Sequence, residues 1–216
     1  MKKLLLTIAA AALSFLALSA EEKTKVYEFG DITRLEVSFL YEVHITEGTS
    51  GKVTVVYESD YEKHLRVKYR ESDSQLLLHL DEIPKKFKRG DQPYINVYIE
   101  MDRIDAITLT GAGKAFFDGD FKSDDLRIDM SGVAGLSGLE VIGDNLSMHC
   151  SGAVKAGITG NFDRRVRIEM SGAAKGRLGI NTSELCGELS GACSLAYEGD
   201  ADDCEFECSG ACKLEL

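Results

Sequence analysis

The chain has no tryptophan, only two prolines in 216 residues, and no cysteine before Cys150. Positive charge is also scarce: 25 Lys and Arg face 36 Asp and Glu, for a formal net charge of −11. An acidic surface repels nucleic acid phosphates and anionic lipid heads, so no nucleic acid partner is expected. After the first twenty residues no segment is long and apolar enough to span a bilayer. The late first cysteine excludes the lipid-modified cysteine of a bacterial lipoprotein. Few prolines beside 21 glycines suit a sheet-rich chain with tight, repeated turns.

The opening MKKLLLTIAAAALSFLALSA has basic Lys2 and Lys3, an apolar run from Leu4, and small Ser19 and Ala20. That is the pattern of a secretory signal peptide over residues 1–20. A membrane anchor is the competing reading, but the run is short for a span and acidic Glu21 and Glu22 follow it. Cleavage near Ala20 would release an exported chain into the periplasm or onto the cell surface of a Gram-negative bacterium. What remains can bury a real core, as one domain or two small ones.

A short phrase then recurs. Ser-Gly or Thr-Gly stands at Thr110, Ser131, Ser151, Ser171, Ser190 and Ser209, at a spacing of about 20 residues. Helix-pair repeats need about 33 residues or more, so a unit of this size leaves room for short strands only. The pattern reads as a β-solenoid over residues 106–216. One residue before the Ser stand Leu109, Met130, Cys150, Met170, Leu189 and Cys208. Three before stand Ile107, Ile128, Met148, Ile168, Gly187 and Phe206, and five before Leu126, Leu146, Val166, Leu185 and Cys204. This period of two is that of a strand with one buried face. Asp129, His149, Glu169, Glu188 and Glu207 fall between them and point to water.

Gly111, Gly132, Gly152, Gly172, Gly191 and Gly210 follow the Ser without exception. A Gly column marks a structural corner where a Cβ would obstruct the backbone. A second strand places Gly113, Ala134, Val154, Ala174, Cys193 and Cys212 inward, then Phe117, Gly138, Ile158, Leu178, Tyr197 and Leu216. A third, shorter side carries turn residues: DGDF, IGDN, TGNF and EGDA. Six equivalent serines without a Ser-His-Asp pattern do not read as nucleophiles.

Residues 21–105 are strand-rich without the period: RLEVSFLYEVHITEG, KVTVVYES, HLRVKYRE, SQLLLHL and YINVYIEM all alternate. A short helical turn is expected in SDYEKHL, with Ser59 or Asp60 as its cap. The region reads as an antiparallel sheet that runs into the solenoid at IDAITLTGAG.

The order FGDITRLEVSFLYEVHITEG, KVTVVYESDYEKHLRVKYRE, SQLLLHL, YINVYIEMDRIDAITLTGAG and then repeated Ser-Gly units resembles the "putative auto-transporter adhesin, head GIN domain" family of exported Bacteroidetes proteins. The resemblance spans nearly the whole chain after the leader. It implies a right-handed, mostly parallel β-helix behind an N-terminal β region, with no catalytic residues, cofactor or metal. In one respect the chain departs from the family. Relatives often have Asp after the Ser-Gly corner, whereas this chain has Lys114, Lys155, Lys175 and Lys213, so no Asp-based ligand site carries over.

Six cysteines in an exported chain raise the question of disulfides. Cys193 and Cys212 share a column and are the first candidate pair. Stacked side chains would sit about 4.8 Å apart where a disulfide wants roughly 3.8 Å, so buried thiols are expected. CEFECSGAC lacks the C-x-x-C pairs of a metal site. Glu169, Glu188 and Glu207, one rung apart, could chelate Ca²⁺, but a solvated acidic face is the expectation. The lysine column is likewise read first as a solvated face, with an anionic glycan or partner as the alternative. Lys85, Lys86, Lys88 and Arg89 cluster in DEIPKKFKRGDQ as a candidate ligand contact.

These features point to a non-catalytic exported module, adhesin-like or a scaffold, whose partner is a glycan or a cell-envelope protein. The alternative is a polysaccharide-acting β-helix enzyme, a lyase or hydrolase. That rests on fold analogy alone, and the inserts are too short for an obvious cleft. The last unit ends without a polar cap after CKLEL, which raises a homo-oligomer as a further expectation.

Overall fold

The computed structural model describes residues 21–38, 41–81 and 95–216. The protein is all-β, with an antiparallel start and a stacked parallel solenoid of about six turns. The strands before the repeat are β1 (Glu22–Glu28), β2 (Arg34–Ser38), β3 (Glu42–Glu47), β4 (Lys52–Glu58), β5 (Leu65–Arg70), β6 (Gln75–Leu80) and β7 (Ile95–Met101). The repeat carries β8 (Ala106–Gly111), β9 (Lys114–Asp118), β10 (Asp120–Gly132), β11 (Gly135–Gly152), β12 (Lys155–Gly172), β13 (Lys175–Gly191), β14 (Ser194–Glu198), β15 (Ala201–Gly210) and β16 (Lys213–Glu215).

Antiparallel pairing joins β1 to β4, β4 to β7 and β5 to β6. All other strand pairs are parallel. The parallel stack reaches further toward the N-terminus than the Ser-Gly phrase does. β2 stacks on β8 and β3 on β9, while β6 and β7 form the next rung outward. Chain order and stacking order differ there, because β4 and β5 are laid down before the rung they border.

Within the repeat the register is the one the columns predict. Met130 sits beside Cys150, Cys150 beside Met170, and Met170 beside Leu189. These four are buried, as are Ile107, Ile128, Met148, Ile168, Leu126, Leu146, Val166 and Leu185. Each such side chain withdrawn from water contributes about 1.5–3 kcal/mol, which the chain needs because its rungs have no helices to cover them.

Three expectations are corrected. Cys204 and Cys208, on core columns by count, are exposed. Among the described residues β15 pairs with β13 alone, so no further rung covers them. Gly138 does not fill the inner column beside Ile158. The register shifts between Leu136 and Leu139, and buried Leu139 takes that place. Gly138, at φ +76°, is the extra residue that lets the strand bulge. The turn at Ser59–Tyr61 is 3-10, with Glu58 in the cap position and no side-chain cap bond.

At the corner, φ is +89° at Gly111, +85° at Gly132, +95° at Gly152, +80° at Gly172, +89° at Gly191 and +88° at Gly210. L-residues with a Cβ avoid this region. The stacking adds a second constraint. A Cβ on Gly152 would lie 2.6 Å from the carbonyl oxygen of Gly132, and one on Gly191 2.8 Å from that of Gly172. Those carbonyls are occupied: Ala153 N–H donates to Gly132 O at 2.8 Å and Ala192 N–H to Gly172 O at 2.7 Å.

A groove along the serine ladder

The corner turns one strand face into a groove. In the strand that precedes it, residues alternate between core and solvent. The Ser column and the column two residues earlier therefore project from the same side, with successive members of each column one rung apart along the stack. Together they line a cavity of about 540 Å³ that runs from Thr110 to Ser209 across six rungs. It is lined by the side chains of Asp129, His149, Glu169, Glu188 and Glu207, with buried Met130, Cys150, Met170 and Leu189 in the strands between the two columns.

The hydroxyls of Ser131, Ser151, Ser171, Ser190 and Ser209 make no hydrogen bond with any described residue, so both donor and acceptor capacity face the groove. The acids are not equivalent. Glu169 accepts from His149 Nε2–H at 2.6 Å and from Arg167 Nε–H at 2.8 Å. Arg167 also reaches Glu188 at 3.6 Å. Asp129 is held by Arg127 at 2.7 and 3.2 Å. Carboxylates raise the pKa of both arginines, chiefly by accepting their hydrogen bonds. Arg167 thus bridges Glu169 and Glu188, and Glu207 has no ion-pair partner among the described residues. Among the described residues no group of three or more His, Cys, Asp or Glu is placed to hold a metal ion.

The core side of these strands is chemically quiet at Cys150. Burial pushes the Cys150 thiol up to about 12, with the neighbouring Cys193 and Asp129 adding to it, so the sulfur stays protonated and behaves as a small hydrophobe. All six cysteines are free. Cys193 and Cys212 do stack, but each thiol turns back to its own rung, on Ser190 O at 3.0 Å and Ser209 O at 3.1 Å.

The lysine column lies across the corner from the groove. Lys114, Lys155 and Lys175 follow one another with Gly135 inserted between the first two, and Ser194 precedes Lys213. Lys114 pairs with Glu42 at 3.1 Å and Lys213 with Glu215. The candidate contact Lys85, Lys86, Lys88 and Arg89 lies outside the described residues. Sequence reasoning had all the groove's residues but treated the Ser column as a corner and the acids as a solvated face. The signal that joins them is their two-residue offset on one strand.

Residues 31–165 match the model of the family described as "Putative auto-transporter adhesin, head GIN domain". No curated protein matches the chain. Among solved structures, a "putative adhesin" from Bacteroides fragilis is similar with a TM-score of 0.65 at 18% identity, over 91% of this chain and 97% of that one. A "putative adhesin" from Parabacteroides merdae follows with a TM-score of 0.56 at 11% identity, over 90% and 95%. A "Putative lipid binding protein" from Parabacteroides distasonis has a TM-score of 0.55 at 15% identity, over 90% and 96%. At such identities the likeness bears on the fold alone. No helix among the described residues is long and apolar enough to cross a membrane.

Proposed function

Because the chain belongs to the "putative auto-transporter adhesin, head GIN domain" family, we propose that it is a non-catalytic, adhesin-like binding module whose ligand lies along the serine groove. In this reading residues 1–20 are a leader, 21–105 an N-terminal β region and 106–216 the binding solenoid of an exported protein. The observation that carries the reading is the ladder of five Ser hydroxyls with no hydrogen bond to a described residue, four of them beside Asp129, Glu169, Glu188 or Glu207. Hydroxyl and carboxylate groups are the usual partners of sugar hydroxyls, and a rigid strand pays little entropy to present them. The rung spacing of about 4.8 Å is close to the length of one sugar ring, which suits a polymer lying along the stack. The acids disfavour an anionic ligand, so a neutral glycan fits best. The same acids weigh against an anionic lipid headgroup, whatever the neighbour from Parabacteroides distasonis binds.

A glycan array probed with the purified protein tests this. Neutral polysaccharides should be retained and released intact, and replacing Ser151 and Ser171 by Val should abolish retention. Retention unchanged in that variant, or sugar products appearing in the eluate, would contradict the reading.

A further inference from the structure

On the far side of the corner the sheet carries an outward ladder of three aromatic rings. Register aligns Tyr98 of β7, His44 of β3 and Phe116 of β9 on successive rungs. Tyr98 and His44 have centroids 5.1 Å apart and His44 and Phe116 5.2 Å, both pairs tilted by 16°. The core does not use this row. Val43, Ile45, Val97, Ile99, Ala115 and Phe117, which alternate with it, are the buried residues, whereas Tyr98 is 46% exposed.

The ladder ends at a hollow. Ser137 pairs with Phe116, and Gly135 stands in register between Lys114 and Lys155. The missing side chain opens a space of about 350 Å³ bounded by Lys114, Phe116, Val133, Ser137 and Lys155. The backbone does not require glycine at this point. A Cβ on Gly135 would meet nothing nearer than Lys114 Cγ at 3.6 Å, and its φ is not positive. Val133, on the rim, is 64% exposed. Lys155 has no ion-pair partner among the described residues, and Lys114 shares Glu42 only at an exposed edge. In a chain of net charge −11 this is a local positive rim on an apolar hollow.

We propose that this face is a second binding site, separate from the serine groove, for an acidic glycan. A uronic acid ring packs its C–H face on Phe116 above Gly135. Its carboxylate is held by Lys155 and Lys114, and the following sugars lie along His44 and Tyr98. The Phe116 ring at the end of the stack, beside an ammonium pair, matches a pyranose that is apolar on one face and charged at its rim. The two faces then divide the work: the acidic groove selects neutral chains and the lysine hollow charged ones. The site stands whether or not the groove binds a glycan.

Calorimetric titration with oligomers of galacturonate and of mannuronate, and with their methyl esters, tests the proposal. At least one acid oligomer should bind, with its ester about ten-fold weaker or worse. Lys155→Glu should weaken binding about ten-fold, and Gly135→Leu, which the backbone accommodates, should do the same by filling the hollow. Tyr98→Ala should weaken long oligomers more than dimers. Absence of binding by both acid series, or acid binding unchanged in Gly135→Leu, would overturn the proposal. So would acid binding lost in the Ser151 and Ser171 double variant but kept in Gly135→Leu. Loss of neutral-glycan retention alone would leave it standing.

Discussion

The rungs of the Ser-Gly repeat and the rung just ahead of them stack in one register with opposite fillings. Ser38 pairs with Thr110 and Glu42 with Lys114, so three residues lie between the paired positions in both. Where the repeat places Gly113, Ala134 and Ala174 inside the corner, the earlier rung places Tyr41, which is 1% exposed. The register is shared, but the size of the enclosed residue is not. Small residues let rungs close tightly and repeat, whereas the earlier rung encloses a large Tyr41, and Tyr57 and Tyr61 ahead of the repeat are buried as well. Periodicity in the sequence thus reports uniform filling, and the solenoid continues beyond the point where that uniformity stops.

The largest expected effect removes the large enclosed residue. Tyr41→Ala leaves a cavity at a fully enclosed site and should cost about 4 kcal/mol in denaturant unfolding. The same rung would lose little if Tyr41 were a surface residue. The next effect belongs to the tight corners. Gly172→Val forces a β-branched residue to φ +80° with its Cβ 3.0 Å from Gly152 N, and should cost about 3 kcal/mol. Gly157, whose Cβ would meet only Leu136 O at 3.9 Å, should accept Ala within about 0.5 kcal/mol. Equal melting temperatures for Gly172→Val and Gly157→Ala would contradict the corner geometry.

The cysteines sharpen the contrast between covered and uncovered rungs. Cys208 is exposed and should be alkylated rapidly at pH 8, while Cys150, enclosed and protonated, should resist until the protein unfolds. Mass spectrometry of the labelled peptides reads both. The raised Cys150 pKa also has a pH consequence. The unfolded thiol ionises near 9 and the folded one near 12, so its contribution to stability is intact below pH 9 and falls as pH rises toward 12. Cys150→Ala should flatten that alkaline decline. A small effect is also expected of Glu169→Gln. It loosens two partly exposed pairs, with His149 and Arg167, and should change stability by less than about 1 kcal/mol.

Much of this fold was legible because strand alternation and a constant period leave few alternatives: Met130, Cys150, Met170 and Leu189 could be assigned to one buried row by counting. Counting failed where burial depends on something other than period. Cys204 and Cys208 occupy core columns but need a rung above them. Gly138 sits at the right number and the wrong place, because a one-residue bulge is invisible to a column. The order of β2, β6 and β8 in the stack could not be read either, since alternation says which face is buried and not which strand is the neighbour. The groove was half legible. Its two columns were visible, but the corner that makes them concave is a matter of backbone shape. The aromatic ladder of Tyr98, His44 and Phe116 was missed because its members are far apart in sequence and meet only through parallel register.

The central claim is that the repeat presents one continuous binding surface, and oligosaccharide length tests it most directly. Neutral oligomers of increasing length from a glycan the array retains should bind with rising affinity until they span the six rungs, roughly 24 Å, and then level off. Affinity that is already maximal for a monosaccharide or dimer, and the same for every longer chain, would contradict the account.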